Sequence, residues 1–331
     1  MNQLPPTDAP RPLRRPASER AAVIVAVAFV LAACRAAPTV PSGSPSSPEA
    51  TAVSSPTHDV HGTVDADGLV VVAGGAPFVS DPEGLLAPFG GPGGTIAAVT
   101  TGGGMVLVVD QDGVPWLSVD PSSAHPFWRP IALPVSANPG RALIALAPTG
   151  DAVAIVDGDP QRPTFALRIA NLRGVVGRTF TLDRGLNGPP SWIGPSAIAL
   201  NVIRPDQRSG FTVLDLASGA ATDVPSFGFS LSATSDGSVV AVDDSASGDV
   251  RVGARVDTDA GGIDRMARIP SPAGSGPDAV ALSPDGTRLA ILRRMGSAAA
   301  IDVLVLDGDV WRVVRSPTLP GDPLVSMAWL R

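Results

Sequence analysis

The sequence predicts an all-β protein, a β-propeller of six blades, with seven and five blades as the alternatives. Three observations carry this expectation. A unit of strand, tight turn and strand recurs down the chain; 36 Gly and 35 Pro, over a fifth of 331 residues, sit in a chain that is 44% hydrophobic; and no long helical period appears. Many short strands joined by turns, repeating every 40 to 50 residues or so, are the signature of propeller blades.

The clearest copy of the unit is Asp278 to Leu292, DAVALSPDGTRLAIL. Its apolar run Ala279–Leu282 is broken by Ser283-Pro284-Asp285-Gly286, where Pro fixes φ, Asp bonds its own backbone and Gly accepts φ > 0. With Ala290 as the marker, the matching positions running backwards are Ala241, Ala199, Ala154, Val108 and Val72, at intervals of 49, 42, 45, 46 and 36 residues. In order, the first hairpin is expected at Gly62–Val64 with Leu69–Ala73. The second unit runs from Thr95 through Met105–Val109 and Trp116–Val119, and the third from Arg141 to an outer pair Thr164–Ile169 and Arg178–Leu182. The fourth opens at Pro190-Ser191-Trp192 and continues through Phe211–Val224, the fifth turns at Asp236-Gly237, and the sixth ends with Ile301–Val314. A last apolar run, Leu324–Leu330, has an Ala328-Trp329 pair like Ser191-Trp192. It is expected to close the ring by joining the short first unit, since closure removes unpaired strand edges.

The N-terminus is set apart from this pattern. Four Arg precede a 13-residue apolar run, Ala21–Ala33, too short for a membrane span of about 20 residues. The run ends in Leu31-Ala32-Ala33-Cys34, which resembles the bacterial lipobox. That resemblance implies cleavage of residues 1–33 as a signal peptide and diacylglyceryl attachment to Cys34, the only cysteine. Arg35–Thr57 holds five Pro, six Ser and three Thr with little apolar bulk, so residues 34–58 are expected to be a lipidated Cys and a stalk, and residues 59–331 the propeller. Cleavage would remove four Arg and two acidic residues, leaving 20 Arg against 29 Asp plus Glu, a net charge of −9. Such a surface repels nucleic acid and anionic headgroups, so the lipid is the expected membrane attachment, at the outer face of the cell membrane.

Chemistry is sparse. All basic residues are Arg, which excludes a P-loop lysine, a Schiff base and a Ser-x-x-Lys site. His58 and His61 lack further zinc donors around them, and His125 sits in Ser122–Pro126 with no motif. The Asp-rich turns (Asp157/Asp159, Asp243/Asp244, Asp257/Asp259/Asp264, Asp307/Asp309) lack the bidentate Glu of a calcium loop and read as turn chemistry. Phe89–Gly94 is glycine-rich but precedes a strand pattern, so it reads as an inter-blade connection. No catalytic, cofactor-binding or metal residues are expected. The segments that break the repeat most, Asp120–Pro134 and Ala254–Gly276, are expected to be specialised loops, with Trp128, beside Phe127 and Arg129, the candidate interface.

The turn Ser283-Pro284-Asp285-Gly286, followed by Leu289-Ala290-Ile291, resembles the blade repeats of TolB-like proteins; Thr234–Gly237 and Ala147–Gly150 are partial copies. Together with the lipobox, the Pro/Ser stalk and the Arg-only basic content, it resembles the propeller part of the actinobacterial LpqB lipoproteins. What the residues and the resemblance lead one to expect is a non-enzymatic scaffold that binds a protein or peptide in the cell envelope. The alternative is a small-ligand-binding or hydrolytic propeller with its site at the central channel.

Overall fold

The computed structural model describes residues 68–331 except for the segments 81–85, 122–125, 135–142, 158–163, 204–208, 225–227, 229, 245–246, 255, 258–261, 264–266, 272–275, 296–297, 317–318, 320–325 and 331. Cys34, the stalk, Gly62–Val64, His58, His61 and His125 therefore lie outside the described residues.

The strands form six antiparallel blades. Blade 1 has the order Ser326–Trp329, Leu69–Ala73, Ala76–Ser80, Leu86–Pro88. Blade 2 is Ile96–Gly102, Met105–Asp110, Pro115–Ser118, Trp128–Pro130, and blade 3 is Leu143–Leu146, Ala152–Asp157, Phe165–Asn171, Val176–Leu182. In blade 4 the inner position is split between Gly185–Leu186 and Ser191–Ile193, both pairing with Ala197–Ile203, which is followed by Ser209–Asp215 and Ala221–Val224. Blade 5 is Leu231–Ala233, Val239–Asp244, Asp249–Ala254, Ala267–Ile269; blade 6 is Pro277–Leu282, Arg288–Met295, Ala298–Asp307, Val310–Arg315. The fold is a six-bladed β-propeller.

Why the second strand of each blade is legible as a repeat follows from burial. Among the described residues the core divides into six apolar clusters, one at each junction between neighbouring blades. Side chains alternate across a strand, so Leu69, Val71 and Ala73 pack toward blade 6 while Val70 and Val72 pack toward blade 2. A strand wetted on neither face reads as a continuous apolar run. The six markers Val72, Val108, Ala154, Ala199, Ala241 and Ala290 all lie on second strands, at 0–1% exposure.

Ring closure is as expected: Ser326–Trp329 pairs with Leu69–Ala73, with Leu69 opposite Trp329 and Val71 opposite Met327. Two expectations need correction. Trp128–Pro130 is a strand, paired with Pro115–Ser118 in the register Ser118↔Trp128, rather than part of a loop. Within Ala254–Gly276 the chain makes a small hairpin, Val256–Asp257 with Gly262–Ile263, and then the outer strand Ala267–Ile269. In both places three-residue outer strands are fixed by tertiary pairing, with too few residues to show a period.

Candidate functional site

The inner strands of all six blades surround a central cavity of about 680 Å³. An inner strand has a partner on one side only, so its channel-facing backbone groups need other partners. Hydroxyls of the adjacent blade supply them. The Val99 N–H donates to Ser326 Oγ at 3.1 Å, Leu146 N–H to Thr100 Oγ1 at 3.0 Å, Val280 N–H to Ser230 Oγ at 3.0 Å, and Leu282 N–H to Ser232 Oγ at 2.9 Å. Each bond runs from one blade to a hydroxyl on the blade before it. Two indoles run the same way: Trp192 Nε1 donates to the Ala145 carbonyl at 3.0 Å and Trp329 Nε1 to that of Ala281 at 2.8 Å. Ser191 closes the remaining junction by donating to the Leu231 carbonyl at 2.6 Å.

One end of the channel is formed by turns between inner and second strands, which also touch each other. The Gly103 N–H donates to the Pro148 carbonyl at 2.8 Å and Ser235 N–H to that of Pro284 at 3.0 Å. At Gly102 a Cβ would lie 2.0 Å from the Ala147 carbonyl oxygen, so only glycine fits. The SPDG-type turns share one bonding scheme. Ser283 Oγ donates to Asp285 and accepts from Arg288 N–H; Thr234 Oγ1 donates to Asp236 and accepts from Val239 N–H. The backbone N–H of Ser238, then the hydroxyls of Thr234 and Ser238, hold the Asp236 carboxyl down to about 2. At Asp285 burial pushes the pKa up, but bonds from Ser283 and Thr287 outweigh it and leave the carboxyl below its usual range.

Among the described residues, those lining the channel include no Asp, Glu, His, Cys or Arg. What the channel offers is hydroxyl groups, backbone and apolar surface, and most of those hydroxyls are occupied in joining the blades. Asp243 and Asp244 end the second strand of blade 5 rather than forming a turn, and both are engaged: Asp243 accepts from the Ser230 N–H at 2.7 Å, and Asp244 accepts from Ser247 Oγ at 2.9 Å and pairs with Arg251. Among the described residues no three His, Cys, Asp or Glu side chains gather as a metal site would require.

The candidate interface residues lie on the outer strand of blade 2 and just before it. Trp128 is half-buried: its ring meets Phe89 edge-on, with centroids 5.8 Å apart, and Nε1 donates to the Gly90 carbonyl. Phe127 is 73% exposed, and Arg129 is exposed. Phe89–Gly94 connects blade 1 to blade 2, as its sequence implies, and Phe89 itself is buried. The inter-blade hydroxyls went unrecognised in the sequence. Their one signal is Ser or Thr on an inner strand, as at Thr100 and Ser232.

Comparison with solved structures gives the same architecture. A TolB of Agrobacterium tumefaciens superposes with a TM-score of 0.52 at 14% identity, covering 80% of this chain and 98% of its own. The TolB of Acinetobacter baumannii gives 0.57 at 14% identity, covering 81% and 67%. The fold is that of TolB-like β-propellers. A nidogen/laminin complex structure also contains a matching chain, at a TM-score of 0.57 and 12% identity over 80% of this chain and 98% of that one. No protein-family model matches the sequence, and no curated protein does.

Proposed function

We propose that this chain is an extracytoplasmic lipoprotein of LpqB-like organisation, anchored to the outer face of the cell membrane through lipid on Cys34. Its TolB-like propeller is a non-enzymatic scaffold that binds a protein or peptide of the cell envelope. The observation that carries the scaffold reading is the composition of the channel wall. Catalysis of acyl, phosphoryl or glycosyl transfer needs acids, bases or activated nucleophiles converging on one point. Among the described residues this wall contributes hydroxyls engaged between blades and no ionisable side chain to activate them. The anchor rests on Leu31-Ala32-Ala33-Cys34 after a short apolar run, and on an acidic surface that would not itself adhere to anionic lipid.

The test is capture in the native envelope. Residue-specific crosslinking should link the propeller to a defined protein, and mass spectrometry should find a diacylated Cys34 at the mature N-terminus. A mature protein without lipid removes the anchor. A metabolite turned over by the purified protein, with no crosslinked partner, replaces the scaffold with an enzyme. The channel volume also suits a small neutral ligand, since pockets for such molecules run to roughly 300–1,000 Å³. Native mass spectrometry of the purified protein distinguishes that second reading by a retained small molecule.

A further inference from the structure

Most arginines of the described residues are engaged, with Arg178 donating to the Leu216 carbonyl. From Arg184 onward, six are ion-paired with aspartates: Arg184 with Asp223, Arg251 with Asp244, Arg268 with Asp249, Arg293 with Asp302, Arg294 with Asp278 and Arg312 with Asp307. Arg129 and Arg173 are exposed, and among the described residues neither has a carboxylate partner. In a chain with 31 acidic residues against 24 Arg, two unneutralised cations on one part of the surface are out of keeping with the rest.

They belong to adjoining segments. Arg129 is on the outer strand of blade 2, three residues before Ala132; Arg173 is in the outer hairpin turn of blade 3, next to Gly174. Those segments touch so closely that a Cβ on Gly174, whose φ is +79°, would lie 1.8 Å from the Ala132 carbonyl oxygen. Ile131, Leu133 and Leu172 pack together against the cluster between blades 2 and 3. The blade 3 turn is held by Asn171, whose Oδ1 accepts from the N–H groups of Arg173 at 2.9 Å and Val175 at 3.0 Å. A turn fixed in this way presents its side chains outward at small further ordering cost.

Apolar surface is exposed at the same junction. Phe127 is 73% exposed and Val119 55%, and each is the residue next to the last strand pair, Ser118↔Trp128. Val175, beside Arg173, is 61% exposed. Large apolar side chains rimmed by unpaired cations form a surface that matches apolar anchors flanked by carboxylates.

We infer that the outer rim where blades 2 and 3 meet docks an acidic peptide segment of a partner protein, with Phe127, Val119 and Val175 as apolar contacts and Arg129 and Arg173 as charge partners. This rests on the scaffold reading and gives it a surface and a partner chemistry.

The test pans a random twelve-residue peptide display library against the full-length protein, then measures a synthetic copy of the most enriched peptide on the wild type and on an Arg129→Glu/Arg173→Glu double variant. The expected peptides carry surplus Asp and Glu around an aromatic or aliphatic residue. Their binding should weaken on the order of tenfold in the double variant and again as salt rises from about 0.05 to about 0.5 M, while the melting temperature stays at the wild-type value. Enriched peptides that bind the double variant equally well overturn the docking site and leave the scaffold standing. A library that enriches nothing overturns the peptide-docking site, and the scaffold then stands or falls on the crosslinking in the native envelope. With lipidation blocked by Cys34→Ser in both proteins, phosphatidylglycerol vesicles that co-sediment with the otherwise wild-type protein but not with the double variant overturn the inference in favour of a lipid-facing surface.

Discussion

The indole N–H of Trp329 donates to the carbonyl oxygen of Ala281 at 2.8 Å, and the same contact recurs between Trp192 and Ala145 at 3.0 Å. Ala281 pairs with the marker Ala290, and Ala145 with the marker Ala154, so the two acceptors hold the same position in the sixth and third repeats. Trp329 is thus the inner-strand tryptophan of blade 1, supplied from the far end of the chain. Replacing it by Ala should cost about 3–5 kcal/mol, as for a large buried aromatic, and by Phe a smaller amount that includes roughly 1 kcal/mol for the hydrogen bond. Chemical denaturation of both variants measures the difference.

Removal of Ser326–Arg331 should be more severe than either substitution. It strips the partner from Leu69–Ala73 and uncovers Leu69 and Val71, which are at 0–1% exposure in the intact ring. A new free edge in an apolar blade is an aggregation site. The truncated chain should lose its cooperative melting transition and elute as large species on size exclusion. Wild-type melting would refute closure by this strand.

Much of this architecture was legible because a propeller blade buries both faces of its second strand. Val72, Val108 and Ala290 sit in runs with no polar alternation, and turns such as Pro284-Asp285-Gly286 punctuate those runs. Trp128–Pro130 was not legible. Three residues, one of them Arg and one Pro, have no period, and what makes them a strand is their register against Trp116–Ser118. The bonds of Thr100 and Ser232 were hidden for a different reason. Each hydroxyl satisfies a backbone group 46 or 50 residues away, and nothing local distinguishes it from a turn serine.

Glycines that touch the neighbouring blade should tolerate no side chain. At Gly102 a Cβ would meet the Ala147 carbonyl oxygen at 2.0 Å, and at Gly194, with φ +62°, that of Asp236 at 2.7 Å. Gly102→Ala must push two blades apart and should cost on the order of 1–3 kcal/mol as overpacking; Gly194→Ala adds the strain of a left-handed backbone. Gly308, with φ +62° but open space around it, is the control, where only the backbone strain applies. Melting temperatures should fall more for Gly194→Ala than for Gly308→Ala.

Acid should weaken the turn at Asp236. Its carboxyl is lowered from 3.8 to about 2 by the Ser238 N–H and by the hydroxyls of Thr234 and Ser238, so the ionised form is the one the fold binds. A group depressed in the folded state contributes stability above its unfolded pKa and loses it as pH falls through its folded value. The contribution is complete above about pH 4 and disappears between about 3.8 and 2. Asp236→Asn should lower the melting temperature at pH 7, with the gap to wild type closing toward pH 2. The side chain is exposed, so screening keeps the gap modest. A gap that stays constant over that range would refute the assignment.

Trp128 and Phe127 are neighbours in sequence, and their surroundings assign them different work. Trp128 is half-buried, stacks edge-on against Phe89 and bonds the Gly90 carbonyl, so it fastens the outer strand of blade 2 to the connection from blade 1. Phe127 is 73% exposed. Trp128→Ala should therefore cost about 2–4 kcal/mol, somewhat below the range for a fully buried aromatic. Phe127→Ala, at an exposed position, should change stability by less than about 0.5 kcal/mol. Binding should respond in the opposite order. An aromatic anchor at the centre of an interface is worth about 2 kcal/mol or more, so Phe127→Ala should weaken partner binding roughly thirtyfold with an unchanged melting curve. Paired thermal melts and binding isotherms on the two variants separate these roles. If Phe127→Ala binds the partner as tightly as wild type, the outer rim of blade 2 is packing alone and the docking surface lies elsewhere on the ring.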